Sequence, residues 1–213
     1  MNGSLVILLL ALLGGSIPFG LLMARLFGGA DVRSSGSGNI GATNVSRVVG
    51  FWPAGFLTLL LDALKGTLAV AMASSWFEGL WSGWLEFPAS GWGIDDALLR
   101  WTAGLFAVLG HCYSPWLKFK GGKGVATGLG VLAILSPWSA LVGAAGFVLT
   151  FLATKTGSLS SLAGLLIACV THGVLPTSEA GAHLWSGGLL IFVILARHEK
   201  NLDALLEGRE NRF

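Results

Sequence analysis

The chain has 213 residues, of which 54% are hydrophobic and 11% charged, with a net charge of +2 and a mean hydropathy of +0.75. Soluble domains carry about 25% charged residues, and thirteen basic and eleven acidic side chains cannot cover a soluble surface around this much apolar mass. Soluble, disordered, collagenous and nucleic-acid-binding classes are excluded, which leaves an integral membrane protein.

The opening run MNGSLVILLLALL has no Lys or Arg ahead of it, and the first basic residue, Arg25, follows it. A secretory signal places its positive flank first, so the run reads as a retained first span. Spans are expected at 4–27, 51–77, 97–114, 124–136, 138–154, 158–175 and 184–197. Pro18 is expected to kink the first. Read as one helix, 124–154 would be about 46 Å long, too long for a ~30 Å hydrocarbon core. Ser136-Pro137 is therefore read as a tight turn between two short spans. Cys112 and Cys169 fall in or beside apolar segments and form no disulfide framework.

The charges sort these spans. Loop 29–50 carries Arg33 and Arg47, loop 114–123 carries Lys118, Lys120 and Lys123, loop 154–157 carries Lys155, and the tail carries Arg197, Lys200, Arg209 and Arg212. The alternate connections, 78–96, 136–138 and 176–183, carry no base. Basic loops stay on the cytoplasmic side. The reading is an all-α polytopic membrane protein with seven transmembrane helices, N-terminus outside and C-terminus cytoplasmic, forming one domain over 1–213. Trp76, Trp81, Trp84, Trp92, Trp138 and Trp185 fall at outer-side ends and read as an interfacial aromatic belt.

Three motif segments, 29–50, 110–127 and 197–213, lie on the cytoplasmic side. The first runs Arg33-Ser-Ser-Gly-Ser-Gly-Asn-Ile-Gly-Ala-Thr-Asn-Val-Ser-Arg47. Glycines let backbone N–H groups turn toward an anion, while hydroxyls, amides and guanidinium groups add donors and charge. A plain linker needs only Gly and Ser. In the second, Gly121-Gly122-Lys123-Gly124 opens a helix, where orphan N–H groups, the dipole and Lys123 form a phosphate cradle. It lacks the Walker A spacing, so ATP binding is not supported. In the tail, His198 and Asn201 share a helix face with Leu202 and Leu205, read as facing inward, while Glu199, Asp203 and Glu207 read as a solvated stripe. His198 and Asp203 match a His-x-x-x-x-Asp spacing found in one class of acyltransferases. At i, i+5 they do not share a face, and the match is treated as coincidence.

Asp62 and Lys65, at i, i+3 in mid-span, read as a structural ion pair. Ser158 and Ser161 open a span at the cytoplasmic side, where either helix packing or ligand binding is open to them. No metal-ligand spacing, Gly-x-Ser-x-Gly motif or Cys–His constellation is present, and no metal or cofactor is expected.

Gly36-Ser37-Gly38-Asn39-Ile-Gly41-Ala42-Thr43-Asn44-Val-Ser-Arg47, Gly110-His111 leading to Phe119-Lys120-Gly121-Gly122-Lys123-Gly124-Val-Ala-Thr127, and His198-x-x-Asn201 ending in Leu205-Leu206-x-Gly208-x-Glu210 resemble the three signature blocks of one family. It is the bacterial acyl-phosphate:glycerol-3-phosphate acyltransferase family of the inner membrane. Asp62-x-x-Lys65-Gly66 is similar to its further motif. The third block departs from the family pattern at Asp203 and Ala204, where basic residues are usual. The resemblance implies acyl transfer from acyl phosphate to the 1-hydroxyl of glycerol 3-phosphate, the first step of phospholipid synthesis, at a site facing the cytoplasm. The family's roles place Ser37, Arg47, Lys123, His198 and Asn201 around the phosphates as catalytic residues. Asn39, Thr43, Asn44, His111, Lys120, Gly121, Gly122, Gly124, Thr127, Ser158, Ser161 and Glu210 are expected to bind substrate. His198 is expected to ligand phosphate as a neutral donor, with the substrate's own phosphate taking the proton. The alternative is a transporter or channel for a phosphorylated solute, which would normally show an internal repeat and midplane binding elements. A lipid-binding scaffold would need neither the glycine cradle nor the His–Asn pair.

Overall fold

A computed structural model describes residues 3–74, 96–174 and 182–213, and every regular element among them is helical. The first apolar stretch forms α1 (Gly3–Ser16) and α2 (Phe19–Gly28). The break falls at Ile17-Pro18, as proline's missing N–H requires. The loop that follows is more ordered than its composition suggests, since it holds the short helix α3 (Ala42–Val48). A π-turn at Phe51–Gly55 leads into α4 (Phe56–Met72). Then come α5 (Asp96–Cys112), a 3-10 turn at Pro115–Leu117, α6 (Val125–Leu135), α7 (Pro137–Thr154) and α8 (Gly157–Val174). The chain ends with α9 (Ala182–Ala196) and α10 (Glu199–Leu206).

Among the described residues, four helical stretches are long and apolar enough to cross a bilayer: Gly3–Gly28, Phe51–Met72, Pro137–Thr154 and Gly157–Val174. Val125–Leu135 and Trp185–Ala196 are apolar but shorter. The Ser136-Pro137 break stands where the length argument put it. There the Ser136 carbonyl accepts from the Ala140 N–H, and its hydroxyl donates to Ser139 Oγ at 2.7 Å. Trp138 and Trp185 are exposed, in keeping with an aromatic belt. Trp76, Trp81, Trp84 and Trp92 lie outside the described residues.

The packing has the character of a membrane bundle. Large side chains point outward (Leu9 and Leu13 on α1, Leu149 and Leu152 on α7, Leu166 and Val170 on α8). The helices meet through small residues instead. α1 packs on α5, α4 on α6, and α7 on α8. At the α4–α6 contact a Cβ on Gly66 would overlap the Thr127 carbonyl, and one on Gly130 would overlap that of Ala63. Those glycines bring α4 and α6 backbone to backbone, which holds the start of α6 close to the buried polar groups of α4.

Those polar groups form the expected ion pair, with Lys65 Nζ 2.7 Å from Asp62 Oδ1 and both side chains buried. His111, at the end of α5, joins them. Its Nδ1 lies 3.6 Å from Asp62 Oδ1 and 3.4 Å from Lys65 Nζ. Charges are tolerated at this depth only when paired, and the three clustered groups tie α4 to α5, with Asp62 Oδ1 held by charge and not by an aligned hydrogen bond.

Candidate active site

The first motif loop is built around one amide. Asn44, on α3, is 2% exposed. Its Nδ2 donates to the carbonyls of Val32 (3.0 Å), Ser35 (3.1 Å) and Asn39 (2.8 Å), and its Oδ1 accepts the Ser37 N–H at 2.8 Å. Gly36 has φ +60, and a Cβ there would collide with Asn44 Oδ1. Asn39 Oδ1 accepts the Gly41 N–H at 2.8 Å, an Asx turn that opens α3. Both asparagines therefore shape the loop with the groups expected to meet substrate. The Ser37 side chain is exposed on that loop. Of the two flanking arginines, Arg33 is paired with Asp31, and Arg47 turns toward the tail. The methyl of Thr43 fills the space that a Cβ on Gly157 would need, which seats the loop on the start of α8 beside Ser158.

The second loop is folded back on α5. The Gly121 N–H donates to the Cys112 carbonyl at 3.1 Å, and the Gly122 N–H to the His111 carbonyl at 3.0 Å. These two amides are thus occupied, which corrects the expectation that they contribute to a cradle. The N–H groups of Lys123 and Gly124 donate to no protein acceptor among the described residues. The first-turn N–H groups of α6, which begins at Val125, have no intrahelical acceptor. The N–H groups left open therefore lie one step along the chain from Gly121 and Gly122. Gly124 has φ +84, the left-handed geometry that turns the loop into the helix. Lys120 points to solvent, and Thr127 is fully buried.

The tail closes the site through Glu210. Its Oε1 accepts from Ser158 Oγ at 2.7 Å and from Asn201 Nδ2 at 2.8 Å, which joins the tail to the start of α8. Ser161 Oγ instead donates to the Gly157 carbonyl within α8. Arg47 stacks 4.5 Å above the Phe213 ring, and its Nη2 reaches the Asn211 carbonyl at 3.5 Å. Phe213 in turn donates its N–H to the Lys155 carbonyl at 2.9 Å. Leu202 was expected to face inward, but it is 40% exposed, and α10 buries none of its residues. His198 caps the helix instead of lying on its face and is buried. Glu199, Asp203 and Glu207 are exposed, as a solvated stripe should be.

Electrostatics bind these pieces into one site. Lys123 is held down at about 8, by burial first, with Arg47 and Arg197 also lowering it and Glu210 opposing. Burial likewise lowers Arg47, and Glu210 again opposes. Lys123 thus lies within electrostatic reach of two further cations, Arg47 and Arg197, and of one carboxylate, Glu210, an excess of two positive charges suited to a phosphate dianion. His198 adds no charge near neutrality: burial holds it at about 4, aided by Lys123 and Arg197 and opposed by the Ile194 carbonyl and Glu210. Its Nδ1 lies 2.8 Å from the Ile194 carbonyl, which can only accept, so Nδ1 carries the proton. The neutral ring thus presents Nε2 as an acceptor, which corrects the expectation of a neutral donor. Three buried atoms of the three motif segments have no hydrogen-bond partner within the protein among the described residues: Arg47 Nε, Thr127 Oγ1 and His198 Nε2. Unpaired buried polar atoms cost about 1–3 kcal/mol each, which a ligand can recover.

The structure thus brings together Arg47, Lys123, His198, Asn201, Ser158 and Glu210. Asn39 and Asn44 shape the first loop, and His111 ties the second to the ion pair in α4. Arg197, which sequence reasoning did not single out, lies among the clustered cations.

Comparison with known proteins supplies the family. The profile of the glycerol-3-phosphate acyltransferase family matches residues 5–208. The chain is 42% identical to a glycerol-3-phosphate acyltransferase of Myxococcus xanthus, over 97% of this chain and 98% of the relative. It is 40% identical to one of Aliarcobacter butzleri, over 99% and 97%. Crystal structures of PlsY (YgiH), an integral membrane glycerol 3-phosphate acyltransferase, are similar over 100% of this chain and 96% of theirs at 34% identity. The TM-score is 0.83 for its glycerol 3-phosphate form and 0.79 for its lysophosphatidic acid form. With a profile match over nearly its whole length, this membrane-protein chain belongs to the glycerol-3-phosphate acyltransferase family and is an acyltransferase.

Proposed function

We propose that the chain transfers an acyl group from acyl phosphate to the 1-hydroxyl of glycerol 3-phosphate, as the first step of phospholipid synthesis. The hydroxyl oxygen forms the new ester bond to the acyl carbon. The bond from that carbon to the phosphate oxygen breaks, and its electron pair leaves with the phosphate. The hydroxyl proton passes to a phosphate oxygen, so the products are 1-acylglycerol 3-phosphate and inorganic phosphate. The observation that carries this reading is the excess of two positive charges beside three unpartnered buried polar atoms, all drawn from the three motif segments. The relatives' shared name and the PlsY forms with glycerol 3-phosphate and lysophosphatidic acid support the acceptor and the product.

An acyl phosphate is already activated, so the protein's work is positioning and charge stabilisation. In this reading Arg47 and Lys123 hold phosphate oxygens, with the Lys123 and Gly124 N–H groups beside them. Asn201 and Ser158 act with Glu210, and Ser37 reaches in from the first loop. His198, held neutral by burial, offers its Nε2 lone pair to orient a substrate hydroxyl, whose proton goes to the phosphate. Seven spans place the N-terminus outside and all three motif segments at the cytoplasmic face of the inner membrane, where glycerol 3-phosphate arrives from water and the acyl chain from lipid.

Reconstitution into sealed vesicles of one orientation tests both claims. Lipid product should form only when glycerol 3-phosphate is added on the side where a thiol probe labels a cysteine placed at Glu207. Movement of labelled glycerol 3-phosphate across the bilayer without lipid product would identify a transporter instead.

A further inference from the structure

Residues 121–124 are three glycines and one lysine. Such a segment has only the Lys123 side chain to fix its conformation, and its glycines have the largest backbone entropy to lose on ordering. It needs clamps from outside. One is α5, whose His111 and Cys112 carbonyls accept the Gly122 and Gly121 N–H groups. The other is Arg197, just past the end of α9. Its Nε donates to the Gly122 carbonyl at 3.1 Å and its Nη2 to the Gly121 carbonyl at 3.0 Å. Its guanidinium also lies 5.3 Å from the Tyr113 ring centroid, which seats the fork from behind.

We propose that Arg197 is a positioning residue for the reaction: by clamping the Gly121 and Gly122 carbonyls it aims the Lys123 N–H and side chain at the substrate phosphate. The inference rests on the acyl-transfer reading above. The physical link is the planarity of the peptide unit. In a trans peptide the C=O and the next N–H point in opposite directions. A Gly122 carbonyl held on Arg197 therefore turns the Lys123 N–H away from Arg197, and that N–H has no protein acceptor among the described residues. A guanidinium suits this task because its donors are fixed in one plane and can meet two acceptors at once. A lysine ammonium has no such fork. Arg197 thus stands apart from Arg47, whose buried Nε has no partner within the protein.

The test compares the purified wild type with Arg197→Lys, Lys123→Ala and the double variant, using acyl phosphate and glycerol 3-phosphate. Arg197→Lys keeps the charge but loses the fork, and it should raise KM for glycerol 3-phosphate about tenfold or more. The discriminating readout is the coupling. Lys123→Ala should cost far less, as a fold-change, in the Arg197→Lys background than in the wild type, because Lys123 is already misaimed there. An unchanged KM in Arg197→Lys, or an equal cost of Lys123→Ala in both backgrounds, overturns the inference. If Arg197→Lys does not elute as a folded protein in detergent, Arg197→Gln, which can still donate to one carbonyl, takes its place in the same cycle. Wild-type protein without acyl transfer would instead sink the functional reading and this inference with it.

Discussion

Asn44→Ala should uncouple the first motif loop from an otherwise intact bundle. Four hydrogen bonds converge on this one side chain, three from its Nδ2 and one to its Oδ1. The amide has two N–H hydrogens for its three carbonyl acceptors, so one of these bonds is shared. At roughly 1 kcal/mol net for each of three full bonds, their loss removes about 3 kcal/mol from the closed loop, roughly 150-fold in its closed-to-open ratio. The loop contacts α8 through Thr43 and carries Ser37 and Arg47, so the opening falls on the site. Thermal unfolding of the helices should change less than the loop does, since the lost bonds lie within the loop, while Val32, Ile40 and Val45 still anchor it against Leu21 and Ala24. Acyl transfer should drop by a hundredfold or more, and trypsin should cut faster at Arg33 and Arg47. Asn44→Asp is the sharper variant: it can still accept the Ser37 N–H but sets a carboxylate against three carbonyl oxygens, so it should be at least as damaging. Wild-type activity and wild-type protease resistance in either variant would refute this account of the loop.

Two further predictions concern proton positions. Lys123 loses its proton as pH rises through about 8, so kcat/KM for glycerol 3-phosphate should fall above that pH. Lys123→Arg should shift that limb upward and Lys123→Ala should abolish it, with a loss of roughly 10- to 150-fold; a limb that persists in Lys123→Ala belongs to another group. His198 is neutral above about 4 and offers Nε2 as an acceptor, so His198→Ala should cost about tenfold in kcat, the scale of one orienting hydrogen bond. The acid limb should then follow the substrate phosphate, near about 6, and move upward with a phosphonate analogue of higher second pKa. A loss toward 10⁴-fold, with a limb that ignores the analogue and vanishes in His198→Ala, would make the histidine the base.

The helix breaks and the polar clusters were legible because each follows from a local rule. Pro18 and Pro137 end helices wherever they stand, and Asp62 with Lys65 three residues on is an ion pair written into helix geometry. The directions of the loop amides were not legible. Asn44 supplies the donors a phosphate needs, but the carbonyls of Val32, Ser35 and Asn39 compete for them once the loop curls. The same competition occupies the Gly121 and Gly122 N–H groups. Arg197 looked like one more positive-inside charge because its carbonyl partners lie 75 and 76 residues away. The periodicity of α10 puts Leu202 on an inward face, but that eight-residue helix buries none of its residues. His198 escaped the helical pattern because it stands at the N-cap position, with its side chain turned back to the Ile194 carbonyl.

The central claim is tested most directly by product stoichiometry with purified protein in detergent. Supplied with acyl phosphate and glycerol 3-phosphate, it should release one inorganic phosphate for each 1-acylglycerol 3-phosphate formed. Replacing glycerol 3-phosphate with glycerol should abolish the lipid product. Folded wild-type protein that forms no acylglycerol phosphate from this pair, or acylates glycerol equally well, would contradict a site built to hold the acceptor by its phosphate.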